Sequence, residues 1–425
     1  MTVPLAVVTG SAVIGVLAHT ASGSSAAPAR AVSHRSGSWS QSWGAAMQRP
    51  IAAGRDEAPN WSKQGFADHS LRQVVRLSTG GTRVRIRLSN LYGTRPLRVT
   101  AGAIARSGGG AKAWPGTTAA LTFGGSRSAV VPPGGELTGD PVALATAPLE
   151  KLAITLRFSR PTGPATFHRF TPQTAFRASG DHLADSGSDA YTRSTDALYY
   201  LSGVEVAGGA TGRDSVALFG DSLIDGVGSS PGADRRLPDA LADRPAATRR
   251  PLAVVNAGIG GNRLRHDSAC SGEKATTRFR RDVLDRPGVR SVIVHLGAND
   301  LRETAGDPCL RPGSAATAAQ VIDAHRKVIR AARARGLKVV GATIVPMKGA
   351  LFPIWSPEVE KARDAVNRWI RTSGEYDAVL DADRIMADPS DPDRPRLAYV
   401  HEDGLHPNDT GYQALVRGID LDALR

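Results

Sequence analysis

The chain of 425 residues predicts an α/β domain, a five-stranded parallel sheet sandwiched between helices in three layers, preceded by an all-β domain. The second half holds five short apolar runs that are continuous rather than alternating, as strands buried on both faces read. Stretches with apolar residues three and four apart follow several of them, and strand–helix alternation is the pattern of βαβ units. The first half reads differently: short runs alternate polar and apolar residues between Gly and Pro clusters, the texture of an antiparallel sandwich or jelly roll.

Residues 1–31 read as an export signal. The apolar run Val3–Leu17 is too short to span a bilayer, and a Ser/Ala-rich stretch containing Ala27-Pro28-Ala29 follows it. No Lys or Arg precedes the run, so a weak anchor or a misplaced start is the alternative. Residues 38–208 are expected to form the sandwich. Its strands include Arg83–Leu88 and Leu152–Phe158, punctuated by Gly80-Gly81, Gly108–Gly110 and Pro132–Gly135. Trp39, Trp43, Trp61 and Trp114 are candidates for a sugar-stacking face, with core packing the alternative for most of them. Gly208–Gly212 is the expected junction, and residues 213–425 the α/β domain.

Within that domain the strands are placed at Val216–Phe219, Leu252–Ala257, Ser291–Gly297, Leu337–Val345 and Ala378–Asp381, with helices around 316–335 and 358–372. On the first of these helices Val321, Ile322, His325, Val328, Ile329 and Ala332 share a face, so His325 reads as a packed histidine rather than a ligand.

Four short blocks carry chemistry. Gly220-Asp221-Ser222-Leu223 puts Ser222 just past a strand's carboxyl end, the edge where open α/β sheets bind ligands. By itself this is ordinary turn composition. Asn256–Asn262 is a strand running into glycines, where a backbone N–H can approach a ligand; Arg263 stands where a dinucleotide fingerprint needs its third glycine. Gly297–Asp300 delivers the Asn299 carboxamide, a neutral donor, although Asn299 and Asp300 could simply cap the next segment. Asp403-Gly404-Leu405-His406 spaces a carboxylate and an imidazole about one helical turn apart, before a helical pattern at Tyr412, Leu415 and Val416; the plain alternative is a surface pair. A serine, an imidazole, a carboxylate and oxyanion donors are the parts that acyl transfer requires.

These blocks, in this order, resemble the GDSL, or SGNH, hydrolases, and most closely secreted lysophospholipase-like esterases of actinobacterial type. The likeness runs from about Asp214 to the C-terminus. It implies a flavodoxin-like three-layer fold, Ser222 as nucleophile, and His406 as base oriented by Asp403. The oxyanion hole would be the Ser222 and Gly261 backbone amides plus the Asn299 side chain, with a neighbouring glycine as an alternative to Gly261. Leu223-Ile224-Asp225-Gly226 is similar to the family variant with an acidic residue after the turn. The G-x-S-x-G elbow of the α/β-hydrolases is missing, because Ile224 takes its second glycine position.

The loop Pro346–Trp355 is apolar and leaves the same sheet edge, so it either lines an acyl or aromatic pocket or packs on the N-terminal half. The two cysteines, Cys270 and Cys309, fall on loops at that edge and are expected to pair in an exported protein. A formal charge of +13 suggests attraction to anionic cell-surface partners such as cell-wall polymers or phospholipid headgroups, beside the carbohydrate contact the tryptophans allow. The basic residues are scattered, and segments such as Arg278-Phe279-Arg280-Arg281-Asp282 read as solvated helix faces with no nucleic-acid module. The expectation is therefore a secreted carboxylic-ester hydrolase using no metal or organic cofactor, acting on an acyl ester of a glycan, lipid or small molecule. An acyltransferase with the same residues and a non-catalytic carbohydrate- or wall-binding protein are the alternatives.

Overall fold

The computed structural model describes residues 39–54, 59–169, 173–209, 215–247, 252–302, 309 and 315–425. The export-signal segment and most of the expected junction, residues 210–212, lie outside the described residues. Residues Gly37–Arg425 cluster as one compact unit. Within it are two hydrophobic cores, one built from residues between Trp43 and Val206, the other from residues between Val216 and Leu424.

The first core lies between two antiparallel sheets. One holds Ser40–Gly44, Leu201–Ala207, Gly81–Ser89, Val142–Thr146 and Glu136–Thr138; the other is seven-stranded and centred on His69–Arg76, Lys151–Phe158 and Ala101–Gly109. Alternation decides which way each residue points. Val84, Ile86 and Leu88 face inward against Leu71, Val75, Ile154 and Leu156, while Arg85 and Arg87 point outward and clasp the buried Glu205. Trp43 and Trp61 belong to this core, the guanidinium of Arg85 covers the Trp39 ring at 4.1 Å, and Trp114 is exposed. The four tryptophans therefore do not make one stacking face.

The second core surrounds a parallel sheet of β1 (Ser215–Gly220), β2 (Ala253–Gly258), β3 (Val289–His295), β4 (Lys338–Ala342) and β5 (Ala378–Leu380). Its order is β2-β1-β3-β4-β5, and every neighbouring pair is parallel. Successive residues of β1 are buried on both faces, which requires helices above and below. Helices 237–247 and 409–417 pack together, as do helices 318–333 and 357–372. Thr317 and Gln320 form a capping box on helix 318–333, and Ser356 caps helix 357–372 ahead of Pro357. His325 is buried, with Nε2 on the Leu296 carbonyl and Nδ1 on the Tyr376 hydroxyl, so it packs as the helix pattern predicts.

Register fixes what converges. Gly220 pairs with Gly258 on one side and with His295 on the other, so β1, β2 and β3 end level. The chain order reverses about β1, which places the switch-point crevice at that edge. The N-terminal sandwich reaches the sheet along Ser40–Gly44, where Gln41 N–H donates to the Pro287 carbonyl, and beside it Val254 N–H donates to Ser78 Oγ and Arg286 pairs with Glu136.

Candidate active site

Ser222 opens a single-turn helix, Ser222–Asp225, directly after β1. Asp221 caps this turn by accepting from the Leu223 N–H at 3.3 Å, and His295 Nδ1 donates to the same carboxylate oxygen at 3.0 Å. The turn packs so closely on β2 that a Cβ on Gly258 would come 2.3 Å from Asp225 N, so only glycine fits there.

His406 arrives from the far end of the chain. Its Nε2 lies 2.8 Å from Ser222 Oγ, and its Nδ1 lies 2.6 Å from Asp403 Oδ2. A carboxylate can only accept, so Nδ1 carries the proton and Nε2 is left to accept from the serine hydroxyl. The other Asp403 oxygen accepts the Leu405 and His406 N–H groups at 2.9 and 3.0 Å. Partial burial works to raise the Asp403 pKa, but the His406 bond and charge and these two amides outweigh it and hold the carboxyl at about 2. The spacing of three residues thus yields an oriented pair, not a surface one.

The glycine turn after β2 shows where each amide goes. Ile259 N–H donates to the Gly220 carbonyl, Gly258 N–H to Asn256 Oδ1, Gly260 N–H to Asp225 Oδ2 and Asn262 N–H to the Ile259 carbonyl. Among the described residues Gly261 N–H has no acceptor, and Gly261, at φ +73°, lines the cavity beside Ser222. Of the glycines left open by the sequence, this is the amide available to a ligand. Asn299 lines the same cavity and spends one donor on the Asn262 carbonyl at 3.3 Å. Asp300, by contrast, is buried and braces the loop, accepting from the Leu264 and Arg265 amides at 2.9 and 3.1 Å; burial pushes its carboxyl up to about 6.

The cavity has a volume of about 530 Å³. Leu223, Val227, Val345, Ile354 and Leu405 give it an apolar wall, and Arg169, Asp196 and Arg302 give it polar ones. Phe352 lies nearly parallel to the His406 ring, centroids 6.1 Å apart, so the apolar loop lines this cavity. Cys270 and Cys309 form a disulfide, with Cα atoms 5.5 Å apart. Among the described residues no group of three or more His, Cys, Asp or Glu is placed to hold a metal ion, and no helix is long and apolar enough to cross a membrane.

Two parts of the site escape a reading by motif. Arg278 is fully buried, correcting the solvated-face expectation: it donates to the Gly220 and Ala257 carbonyls and to Asn262 Oδ1, and pairs with Asp282. The i,i+4 spacing of Arg278 and Asp282 was the available signal. His168, from the sandwich, contacts Asp225 Oδ1 at 2.9 Å, and nothing local in the sequence marks it.

A parallel sheet with a hydrogen-bonded serine, imidazole and carboxylate at its carboxyl edge defines the class, a carboxylic-ester hydrolase. Residues 218–414 match the GDSL-like lipase/acylhydrolase family, and that stretch is a GDSL-like lipase/acylhydrolase domain. No curated protein matches the sequence. Among solved structures, a GDSL-like lipase from Bacteroides thetaiotaomicron is 17% identical, covering 49% of this chain and 87% of that one with a TM-score of 0.38. An acetyl xylan esterase is 19% identical over 48% of this chain and 96% of that one, TM-score 0.36. A mutant acetyl-xylooligosaccharide esterase from a Geobacillus is 18% identical over 48% of this chain and 91% of that one, TM-score 0.37.

Proposed function

We propose that the protein is a secreted serine esterase that cleaves acyl esters through an acyl-enzyme on Ser222. The observation that carries this reading is the continuous Ser222–His406–Asp403 hydrogen-bond chain opening into the cavity. Ser222 Oγ attacks the acyl carbon as its proton passes to His406 Nε2, and the Asp403 carboxylate steadies the imidazolium. Charge on the carbonyl oxygen is met by the Ser222 amide, the first N–H of its helix and so without an intrahelical acceptor, by the Gly261 amide and by the Asn299 carboxamide. His406 then returns the proton to the departing alkoxide, and a water activated by the same nitrogen releases the acid. The apolar wall suits the acyl group, and the polar wall the alcohol.

Export is supported by the apolar segment Val3–Leu17 and by a disulfide, which persists in oxidising compartments. The net charge of +13 favours work at anionic surfaces. Hydrolysis of p-nitrophenyl esters from acetyl to palmitoyl, with Ser222→Ala alongside, tests the reading. Turnover is expected in the parent and not in the variant; equal rates in both would refute it. Transfer of the acyl group to an added alcohol or sugar in preference to water would make the enzyme an acyltransferase.

A further inference from the structure

We infer that His168, contributed by the N-terminal sandwich, is a positioning residue that holds the oxyanion turn through Asp225. The inference rests on the esterase reading above and extends it to the half of the chain that carries no catalytic block.

His168 is buried, and both ring nitrogens are engaged: Nδ1 lies 2.7 Å from the Ala46 carbonyl and Nε2 lies 2.9 Å from Asp225 Oδ1. A carbonyl oxygen only accepts, so Nδ1 is protonated. The proton between Nε2 and Asp225 then makes the pair an imidazolium and a carboxylate, or their neutral equivalent. Burial lowers the His168 pKa, but the Asp225 charge and hydrogen bond outweigh it and leave it raised.

Asp225 is where the two halves meet. It closes the turn that Ser222 opens, with Asp225 N–H donating to the Asp221 carbonyl. Its Oδ2 accepts the Gly260 N–H at 2.8 Å, and its own carbonyl accepts from Asn256 Nδ2. One fully buried carboxylate therefore ties the nucleophile turn to the amide preceding Gly261, and His168 occupies its remaining oxygen. Arg236, which packs against Gly226 nearby, bonds Asp239 instead. Without His168 the Asp225 charge is left buried and short of its partner, and the cheapest relief is for the carboxylate to turn away from Gly260. A displacement of that turn by about 1 Å is enough to cost up to roughly 10²-fold in rate.

The test uses the full chain at a temperature well below every unfolding midpoint. His168→Ala, His168→Gln, Asp225→Ala, the double alanine variant and Ser78→Ala are compared for kcat, KM, the rate at which a fluorophosphonate labels Ser222, and Tm. Ser78 bridges the same two halves away from the cavity, so its variant reports general loosening of the interface. His168→Ala is expected to lower kcat and the labelling rate together by roughly 10- to 100-fold with KM within about threefold. Gln, whose amide can donate to Asp225, should recover part of the loss, the double variant should be no slower than Asp225→Ala, and Ser78→Ala should lower Tm at unchanged kcat. An unchanged kcat in His168→Ala, a loss confined to KM, or an equal loss in Ser78→Ala would overturn the inference. If the alanine variant does not fold, the Gln variant carries the same comparison. Failure of the fluorophosphonate to label parent Ser222 would instead sink the esterase reading itself.

Discussion

Two corners of this molecule each set a histidine against an aspartate, and they do opposite things. At the C-terminal corner, His406 gives one nitrogen to Asp403 and turns the other toward Ser222 at the cavity. At the domain boundary, His168 has both nitrogens consumed, by a backbone carbonyl and by Asp225, and is sealed from solvent. A histidine whose second nitrogen meets a reactive hydroxyl at the cavity can exchange a proton during a reaction, whereas one bonded to a backbone carbonyl and a buried carboxylate holds its neighbours. The difference lies in the partners and not in the residue pair.

That contrast can be broken most severely at Ser222. Ser222→Ala should abolish ester turnover, with a loss of roughly 10⁴-fold or more in kcat, measured on a p-nitrophenyl ester. Asp403→Asn keeps the shape but removes the acceptor that fixes the His406 tautomer, and kcat should drop by roughly 10³- to 10⁴-fold. Because Asp403 is held at about 2, its carboxylate is ionised from pH 4 upward. The stability it contributes is present above the unfolded value near 3.9 and lost only as pH falls through about 2. In a pH profile of kcat/KM, an acid limb above pH 4 should then stem from a group other than Asp403.

Asn299→Ala comes next, with roughly 10² to 10³ in kcat and little change in KM; a loss in KM alone would demote Asn299 to substrate binding. The remaining effects fall on stability. Asp300 is raised to about 6, above its unfolded value, so its contribution is fully present below about pH 4 and is lost as pH rises through 6. Chemical denaturation across pH 4 to 7 should show the parent gaining roughly 2 to 3 kcal/mol on Asp300→Asn as pH falls, and parallel curves would contradict the assignment. Reducing the Cys270–Cys309 bridge should cost roughly 2 to 4 kcal/mol in the same assay.

Continuous apolar runs announced all five parallel strands, and short-range spacing placed Ser222, Asn299 and the Asp403–His406 pair, because each block is only a few residues long and the register of β1, β2 and β3 brings their ends level. The choice among the glycines needed the hydrogen-bond count of the turn, which no composition reveals. Arg278 departs from the solvated face that its charge suggests, because a guanidinium whose donors meet strand-end carbonyls can be buried. The tryptophans were open for a related reason, since the phase of short sandwich strands decides whether an aromatic faces the core. His168 left no trace, being 57 residues from Asp225 and on a short strand of the N-terminal half.

The most direct measurement is the intact mass of the protein during turnover of p-nitrophenyl acetate, quenched in acid and followed by peptide mapping. A transient population heavier by one acetyl group, mapped to Ser222 and missing in Ser222→Ala, is the predicted result. Ester cleavage that proceeds with no adduct at Ser222, or with the adduct on another residue, would contradict the central claim that this serine carries the acyl group.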